Sequence, residues 1–413
     1  MIINKKFPMG FWNYTATGDF DPETVKDWKD CGITLTMSPE FNPTMHKKED
    51  LLAILDECKK QDIQLIICDS RARWNNAASN PALYRESFLN AYEDFGKHPA
   101  TYGFHIGDEP SGKAFEDCIA AYNIQLEIAP ELTPFINFLP YWDGMQKDIL
   151  LSDSFEAWAA DFTKKSNLKL LCYDHYGQMN PEESGTDNYF KNLNKFSNAA
   201  LSAGIPYWTT LLSVGHFRYR CPKEDDLRWQ LYTALASGCK GILWFFFYMR
   251  RPHANYRVAP IDEHNEKTET YHWLSRILRT FAKQYGELFT RLTLKKAYHG
   301  VKAYGGYELY DNSQPFVKNL KSHHNLPCIL SFFNDENGRE YFALTNNNPK
   351  ESGLFSVDVD KKIKNINRII WEGEEISVSK SHWDALYNEN GTESFVTMGT
   401  WLAPGQMEIY RID

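Results

Sequence analysis

Short, nearly continuous apolar runs recur along the first 290 residues, and amphipathic stretches separate them. The runs are 7–14 (FPMGFWNY), 33–38 (ITLTMS), 63–69 (IQLIICD), 101–107 (TYGFHIG), 133–139 (TPFINFL), 168–174 (LKLLCYD), 205–213 (IPYWTTLLS) and 239–248 (CKGILWFFFY). Hydrophobicity without alternation predicts strands covered on both faces. The intervening segments predict helices. The first, PETVKDWKDCG, opens with Pro22 behind Asp21, a good first-turn signal. The last is HNEKTETYHWLSRILRTFAKQYGELF. Eight strands in strict alternation with eight helices predict a (β/α)₈ TIM barrel over residues 1–290. A doubly wound open sheet would place a glycine-rich phosphate turn after its first strand, and GFWNYTATGDF has no G-x-G-x-x-G. Beyond residue 290 long helical patterns stop. Short strand-like runs alternate with turn signals, and Asn337–Gly338 marks a hairpin. Residues 291–413 therefore read as an antiparallel, all-β sandwich domain.

Composition narrows the partners. The formal net charge of −9 with no long basic run argues against nucleic acid and against an anionic membrane surface. No stretch reaches the roughly 18 apolar residues of a membrane span, and the start, MIINKKFPMGFW, has no apolar signal region, so the expectation is a soluble, cytoplasmic chain. The eight cysteines form no C-x-x-C pair and several lie in apolar runs, which predicts buried free thiols. Twelve Trp and 23 Tyr supply many flat faces with polar edges, the kind of surface on which sugars stack.

Barrel chemistry sits at the C-terminal ends of the strands. Those ends carry Trp12, Asn13 and Tyr14 on strand 1, Glu40 on strand 2, and Asp69, Arg71 and Trp74 on strand 3. Strand 4 ends at His105, Asp108 and Glu109, strand 5 at Asn137, Tyr141 and Trp142, and strand 6 at Tyr173, Asp174, His175 and Tyr176. Strands 7 and 8 end near Ser213 and His216, and near Trp244 and Phe247. Adjacent acids such as Asp108 and Glu109 repel one another and would face opposite ways along a strand, a poor choice for packing alone. Burial and like charge raise a carboxyl toward the range a general acid needs. A solvated turn acid or a helix cap is the plainer account of Glu109. Asp174 ends an apolar strand, where an unpaired carboxylate is costly. Its plainer account is orientation of His175. Glu40, Asp69 and Arg71 suit hydrogen bonding to substrate hydroxyls or to one another. Trp12, Trp142 and Trp244 suit sugar stacking or core packing. His105, His175 and His216 lack H-x-H or H-E-x-x-H spacing, so they are read as polar supports, with no metal and no cofactor expected. Ser213 has no G-x-S-x-G elbow.

On these residues the chain resembles the (β/α)₈ glycoside hydrolases. GFHIGDEP looks like the strand-4 motif of barrel glycosidases that place an acid/base glutamate there. The run from PYWTTLLSVGHF to GCKGILWFFFY resembles their seventh and eighth units, and TWLAPGQMEIYRI the end of a trailing sandwich. The resemblance implies a carbohydrate substrate, a terminal and β-linked sugar, and Glu109 as acid/base. One departure matters: retaining members carry a second glutamate after strand 7, and TTLLSVGHF offers no carboxylate. The Asp-Glu pair is also similar to that of N-acetylhexosaminidases, in which the aspartate orients a 2-acetamido group that itself attacks the anomeric carbon. That resemblance implies Asp108 in the orienting role and Tyr173 or Tyr176 as a donor, and it is the reading preferred on the sequence. The alternatives are a plain hexosidase pairing Glu109 with Asp174, a non-catalytic carbohydrate-binding barrel, and a metal-dependent hydrolase.

Overall fold

The computed structural model describes residues 6–180, 182–250, 255–380, 385–388 and 394–413. Eight parallel strands form one sheet: β1 (Met9–Phe11), β2 (Leu35–Phe41), β3 (Gln64–Asp69), β4 (Thr101–Asp108), β5 (Phe135–Phe138), β6 (Leu171–Asp174), β7 (Tyr207–Leu212) and β8 (Ile242–Phe245). They pair in chain order from β2 to β8, and β8 pairs with β1. The closing seam between β1 and β2 uses side chains where a ladder would use carbonyls. Met9 N–H donates to Thr34 Oγ1 (3.0 Å) and Phe11 N–H to Thr36 Oγ1 (2.9 Å), while Thr34 N–H donates to Met9 O (2.9 Å). Gly10 permits this approach, because a Cβ there would stand 2.0 Å from Leu35 O.

Helices α1 (Val25–Cys31), α2 (Lys48–Gln61), α3 (Pro81–Ala91), α4 (Ala114–Ile128), α5 (Phe155–Ser166), α6 (Glu183–Ala203), α7 (Glu224–Ala236) and α8 (Glu269–Phe281) follow the strands in turn. Asn80 and Ser154 cap α3 and α5 by accepting from Leu83 N–H and Ala157 N–H. The barrel strands are apolar throughout because one face meets these helices and the other fills the barrel, as the near-unbroken burial of β7 illustrates.

After the short helix α9 (Glu287–Arg291) the chain becomes antiparallel. One sheet has six strands: β9 (Thr293–Gly300), β11 (Cys328–Asn334), β12 (Glu340–Asn346), β14 (Ile366–Ile369), β15 (Glu375–Ser377) and β18 (Met407–Ile412). The other has four: β10 (Val317–Ser322), β13 (Gly353–Asp360), β16 (Ala385–Asn388) and β17 (Phe395–Leu402). β11 and β12 form the hairpin marked by Asn337–Gly338, with Gly338 at φ +78°. One apolar cluster lies between the two sheets, around Phe342, Phe355 and Tyr410. The other face of the larger sheet joins the barrel core through Ile329, Phe333 and Tyr341. Ser331 Oγ, on that sheet, donates to Ala236 O at the end of α7 (2.7 Å). All eight cysteines are unpaired, and Cys221 alone is not fully buried. Among the described residues no helix is long and apolar enough to cross a membrane.

Candidate active site

At the C-terminal ends of the strands a pocket of about 380 Å³ opens, with Asp108, Glu109, Asn137 and Asp174 on one side. Their placement follows from local geometry. A register shift between His105 and Gly107 resets β4 against β5 just before the acids. Trp74 lies across this turn of chain, and a Cβ at Gly107 would meet its ring at 1.9 Å. Glu109 then takes a left-handed φ of +49°. Two neighbours in an extended strand would point to opposite faces. The left-handed step turns Glu109 into the pocket that Asp108 also lines. Such a conformation costs a residue with a Cβ roughly 1–2 kcal/mol, and it is held here by Glu109 N–H donating to Asn137 O (2.8 Å).

Asn137 ties the acids together. Its Nδ2 donates to Asp108 Oδ1 (3.0 Å) and to Asp174 Oδ1 (2.9 Å). On β6 the alternation of side chains sends Tyr173 outward, where it stacks on Phe196 of α6 (3.8 Å between ring centres), and Asp174 inward. All three carboxyls are pushed up from the ordinary range. For Asp108 the cause is burial, opposed by the Asn137 hydrogen bond and the Arg73 charge. For Glu109 it is burial and then the charge of Asp108, opposed by a hydrogen bond with Asp174. Asp174 is raised by burial and then by Glu109 and Asp108, against hydrogen bonds from Asn137 and Tyr176. Asp108 and Glu109 are open to the pocket, yet its walls keep bulk water from their charge. Two hydrogen-bonded carboxyls cannot both ionise freely, so Glu109 and Asp174 titrate as a pair with Glu109 the more accessible member.

The rest of the lining is largely aromatic. Trp12 and Tyr14 arrive from β1, Tyr176 stacks on Phe245 (5.0 Å), and His216 stacks on Tyr256 (5.0 Å). Arg250 lies 4.0 Å over the Tyr14 ring. Burial raises the Tyr14 and Tyr176 hydroxyls, and the nearby acids raise them further. Burial also brings His175 down to about 4, so it is neutral at neutral pH. Gly215 N–H donates to Arg257 O (2.8 Å) and Arg257 N–H returns to Gly215 O (3.1 Å), tying the loops after β7 and β8 into a rim.

Of the residues singled out in the sequence, Trp12, Asp108, Glu109, Asp174, His175, Tyr176 and His216 line this pocket. The others that were given a role lie outside its lining. Asp69 is fully buried and grips Arg71 (2.8 Å), which also binds Asp94 (2.8 Å), so both serve an internal ion-pair network. Glu40 is exposed, and its backbone is bound to Thr15 and Thr17. His105 is buried beneath Trp12 (5.3 Å), where burial holds its ring well below the usual histidine range. Tyr173 faces α6, Trp244 is wholly buried, and Trp142 stands exposed beyond the lining. The residues the sequence left without a role are Tyr14, Asn137, Pro140, Phe217, Tyr219, Phe245 and Tyr256. Tyr14 and Asn137 had a signal in their strand-end positions. Tyr219 and Tyr256 come from loops that periodicity does not place. Among the described residues no group of three or more His, Cys, Asp and Glu is set to hold a metal ion.

No protein-family model matches the sequence, and no curated protein does. Solved structures match in shape. The chain is similar to a catalytic mutant of a family 42 β-galactosidase from G. stearothermophilus, with a TM-score of 0.65, 9% identity, and 99% of this chain and 98% of that one covered. It is similar to a β-galactosidase from Bacillus circulans sp. alkalophilus, with a TM-score of 0.63, 10% identity, and coverage of 98% and 99%. Against a β-galactosidase from the psychrophilic Marinomonas ef1 the TM-score is 0.50 at 11% identity; that match takes in 66% of this chain and spans 59% of the other. These likenesses establish the architecture: a parallel eight-stranded barrel followed by antiparallel sheets.

Proposed function

We propose that the protein is a glycoside hydrolase that removes a terminal β-linked hexose, galactose being the first candidate, with Glu109 protonating the departing oxygen. The observation that carries this reading is the convergence of Glu109 and Asp174 on one pocket lined with aromatic rings, where burial raises both carboxyls. Glu109 is the outer member and faces where a leaving group would depart. Asp174 lies deeper, beside Asn137 and Tyr176. Retaining glycosidases hold their carboxyls about 5–5.5 Å apart and inverting ones about 6.5–9.5 Å. A pair in hydrogen-bond contact is nearer the retaining spacing, and a sugar wedged between the two would open it. In that scheme Asp174 attacks the anomeric carbon as the C–O bond breaks, and the proton on Glu109 passes to the leaving oxygen. Glu109 then takes a proton from water, whose oxygen displaces Asp174. The resemblance in shape to β-galactosidases supports a plain hexoside.

The test is a screen of aryl β-glycosides of galactose, glucose, mannose, GlcNAc and GalNAc, followed by Glu109→Gln. The substitution is expected to cut kcat/KM for a poor leaving group by roughly 10²–10⁴-fold. A mutant at near-wild-type rate refutes the role of Glu109. A wild type that binds sugar and turns nothing over makes the barrel a binding protein.

A second reading keeps the acetamido-assisted mechanism, because Asp108 opens into the same pocket and is itself anchored by Asn137. Asp108→Asn then harms N-acetylhexosaminides far more than plain hexosides. Equal damage to both removes this reading and leaves the Glu109–Asp174 pair.

A further inference from the structure

The aromatic wall has two levels. Trp12, Tyr176, His216 and Phe245 are between 5% and 9% exposed and belong to the depth of the pocket, whereas Phe217 is 63% exposed at its rim. Phe217 is also out of place for its backbone. It stands at the tip of a tight turn in which His216 N–H donates to Tyr219 O (3.2 Å) and Tyr219 N–H donates to His216 O (2.8 Å). Its φ is +48°, a region that glycine or asparagine occupies cheaply and a bulky side chain does not. A plain surface turn would gain from either of those residues and from exposing no apolar ring to water. Instead the ring is supported from beneath by His216, 4.0 Å away, which rests in turn on Tyr256. The turn itself is anchored by the Gly215–Arg257 pair. A flat apolar face is thereby supported and open at the rim of the pocket that holds the carboxyls, one level out from the place where a single sugar would sit. Residues held in sparsely populated backbone regions cluster at active sites and ligand clamps.

We propose that Phe217 is the platform for the leaving group, and that it selects aglycones with a flat apolar face, whether an aryl ring or a second pyranose. This rests on the glycoside hydrolase reading above. Because the ring stacks on the departing part of the substrate, it discriminates by what is attached to the sugar and not by the sugar itself.

The experiment compares three galactosides that share a glycone. β-Galactosyl fluoride has a one-atom leaving group that nothing can stack on; p-nitrophenyl β-galactoside and lactose present an aryl ring and a pyranose. In Phe217→Ala the ratio of kcat/KM on the aryl galactoside to that on the fluoride is expected to fall roughly tenfold, the size of one ring-on-ring contact. Phe217→Gly, which suits the turn, should show the same fall, and Phe217→Tyr should restore the ratio. A parallel fall for lactose identifies the pyranose as an accepted face, and a fall for the aryl compound alone restricts the platform to aryl groups. An unchanged ratio for both, or recovery in Phe217→Gly, overturns the proposal, since a purely structural loop would affect all three substrates alike. Should the wild type hydrolyse none of them, galactose fails as the glycone separately from the platform. Affinity for phenyl β-thiogalactoside against galactose then decides the platform. Selective weakening of the thiogalactoside in Phe217→Ala supports it, and equal affinities in mutant and wild type refute it.

Discussion

The two ends of the barrel make an instructive pair. At the base, below the N-terminal ends of the strands, lies a cavity of about 550 Å³, larger than the roughly 380 Å³ pocket at the mouth. Its chemistry is at rest. Tyr102 and Trp208 stack across the barrel interior (5.8 Å), and the Lys240 amine is capped by the carbonyls of Phe289 and Leu292. At the mouth the carboxyls of Asp108 and Asp174 converge on one asparagine, Glu109 pairs with Asp174, and Glu109 and Phe217 occupy left-handed backbone. Volume alone would choose the base. What marks the mouth is charge held in conflict, which a fold keeps only where something is gained by it.

The comparison breaks if the base takes part in turnover. After the loss expected for Glu109→Gln, the largest effect should come from Trp208→Ala, and it should be of another kind. Trp208 is 2% exposed and packs on Tyr102 and Phe135. Its removal leaves a cavity worth about 3–5 kcal/mol of stability, read from denaturant unfolding, while kcat of the folded fraction stays at the wild-type value. A folded Trp208→Ala protein with kcat reduced a hundredfold would mean that the base shapes the site, and the division between the two ends would fall.

The same contrast explains what could be read from the sequence. Strands buried on both faces leave continuous apolar runs, so all eight barrel strands were visible, and the strand-end rule then led to Asp108, Glu109 and Asp174. The rule failed to separate Asp69 and Arg71 from the pocket because their fate depends on Asp94, a partner 23 residues beyond Arg71 that no local pattern announces. Tyr173 could have been excluded on the sequence: if Asp174 faces inward, its neighbour faces α6. The expectation that Asp108 and Glu109 diverge assumed an extended strand, and the left-handed φ of Glu109 overrides it. The loop residues Phe217, Tyr219 and Tyr256 were illegible because turns are placed by tertiary tethers such as Gly215 to Arg257.

The smallest expected effect is the sharpest, because the two ends respond to pH with opposite sign. Glu109 and Asp174 have folded pKa values raised above the unfolded ones, so the folded state binds the extra protons. Their contribution to stability is complete below the ordinary carboxylate range and is lost as pH rises through the folded values. Burial lowers Lys240 from 10.5 to about 8, so between those values the unfolded state binds the extra proton and stability increases with pH. Asp108→Asn removes the charge that, after burial, does most to raise Glu109 and that also raises Asp174. The alkaline limb of kcat/KM, where the acid loses its proton, should therefore move to lower pH, and the loss of stability with rising pH should shrink. The alkaline gain belonging to Lys240 should be untouched, since that amine lies at the other end of the barrel. Unfolding measured from pH 4 to pH 10, beside a rate profile over the same range, reads both ends at once. A limb that stays in place, or moves to higher pH, would mean that Asp108 does not govern the proton on the pair.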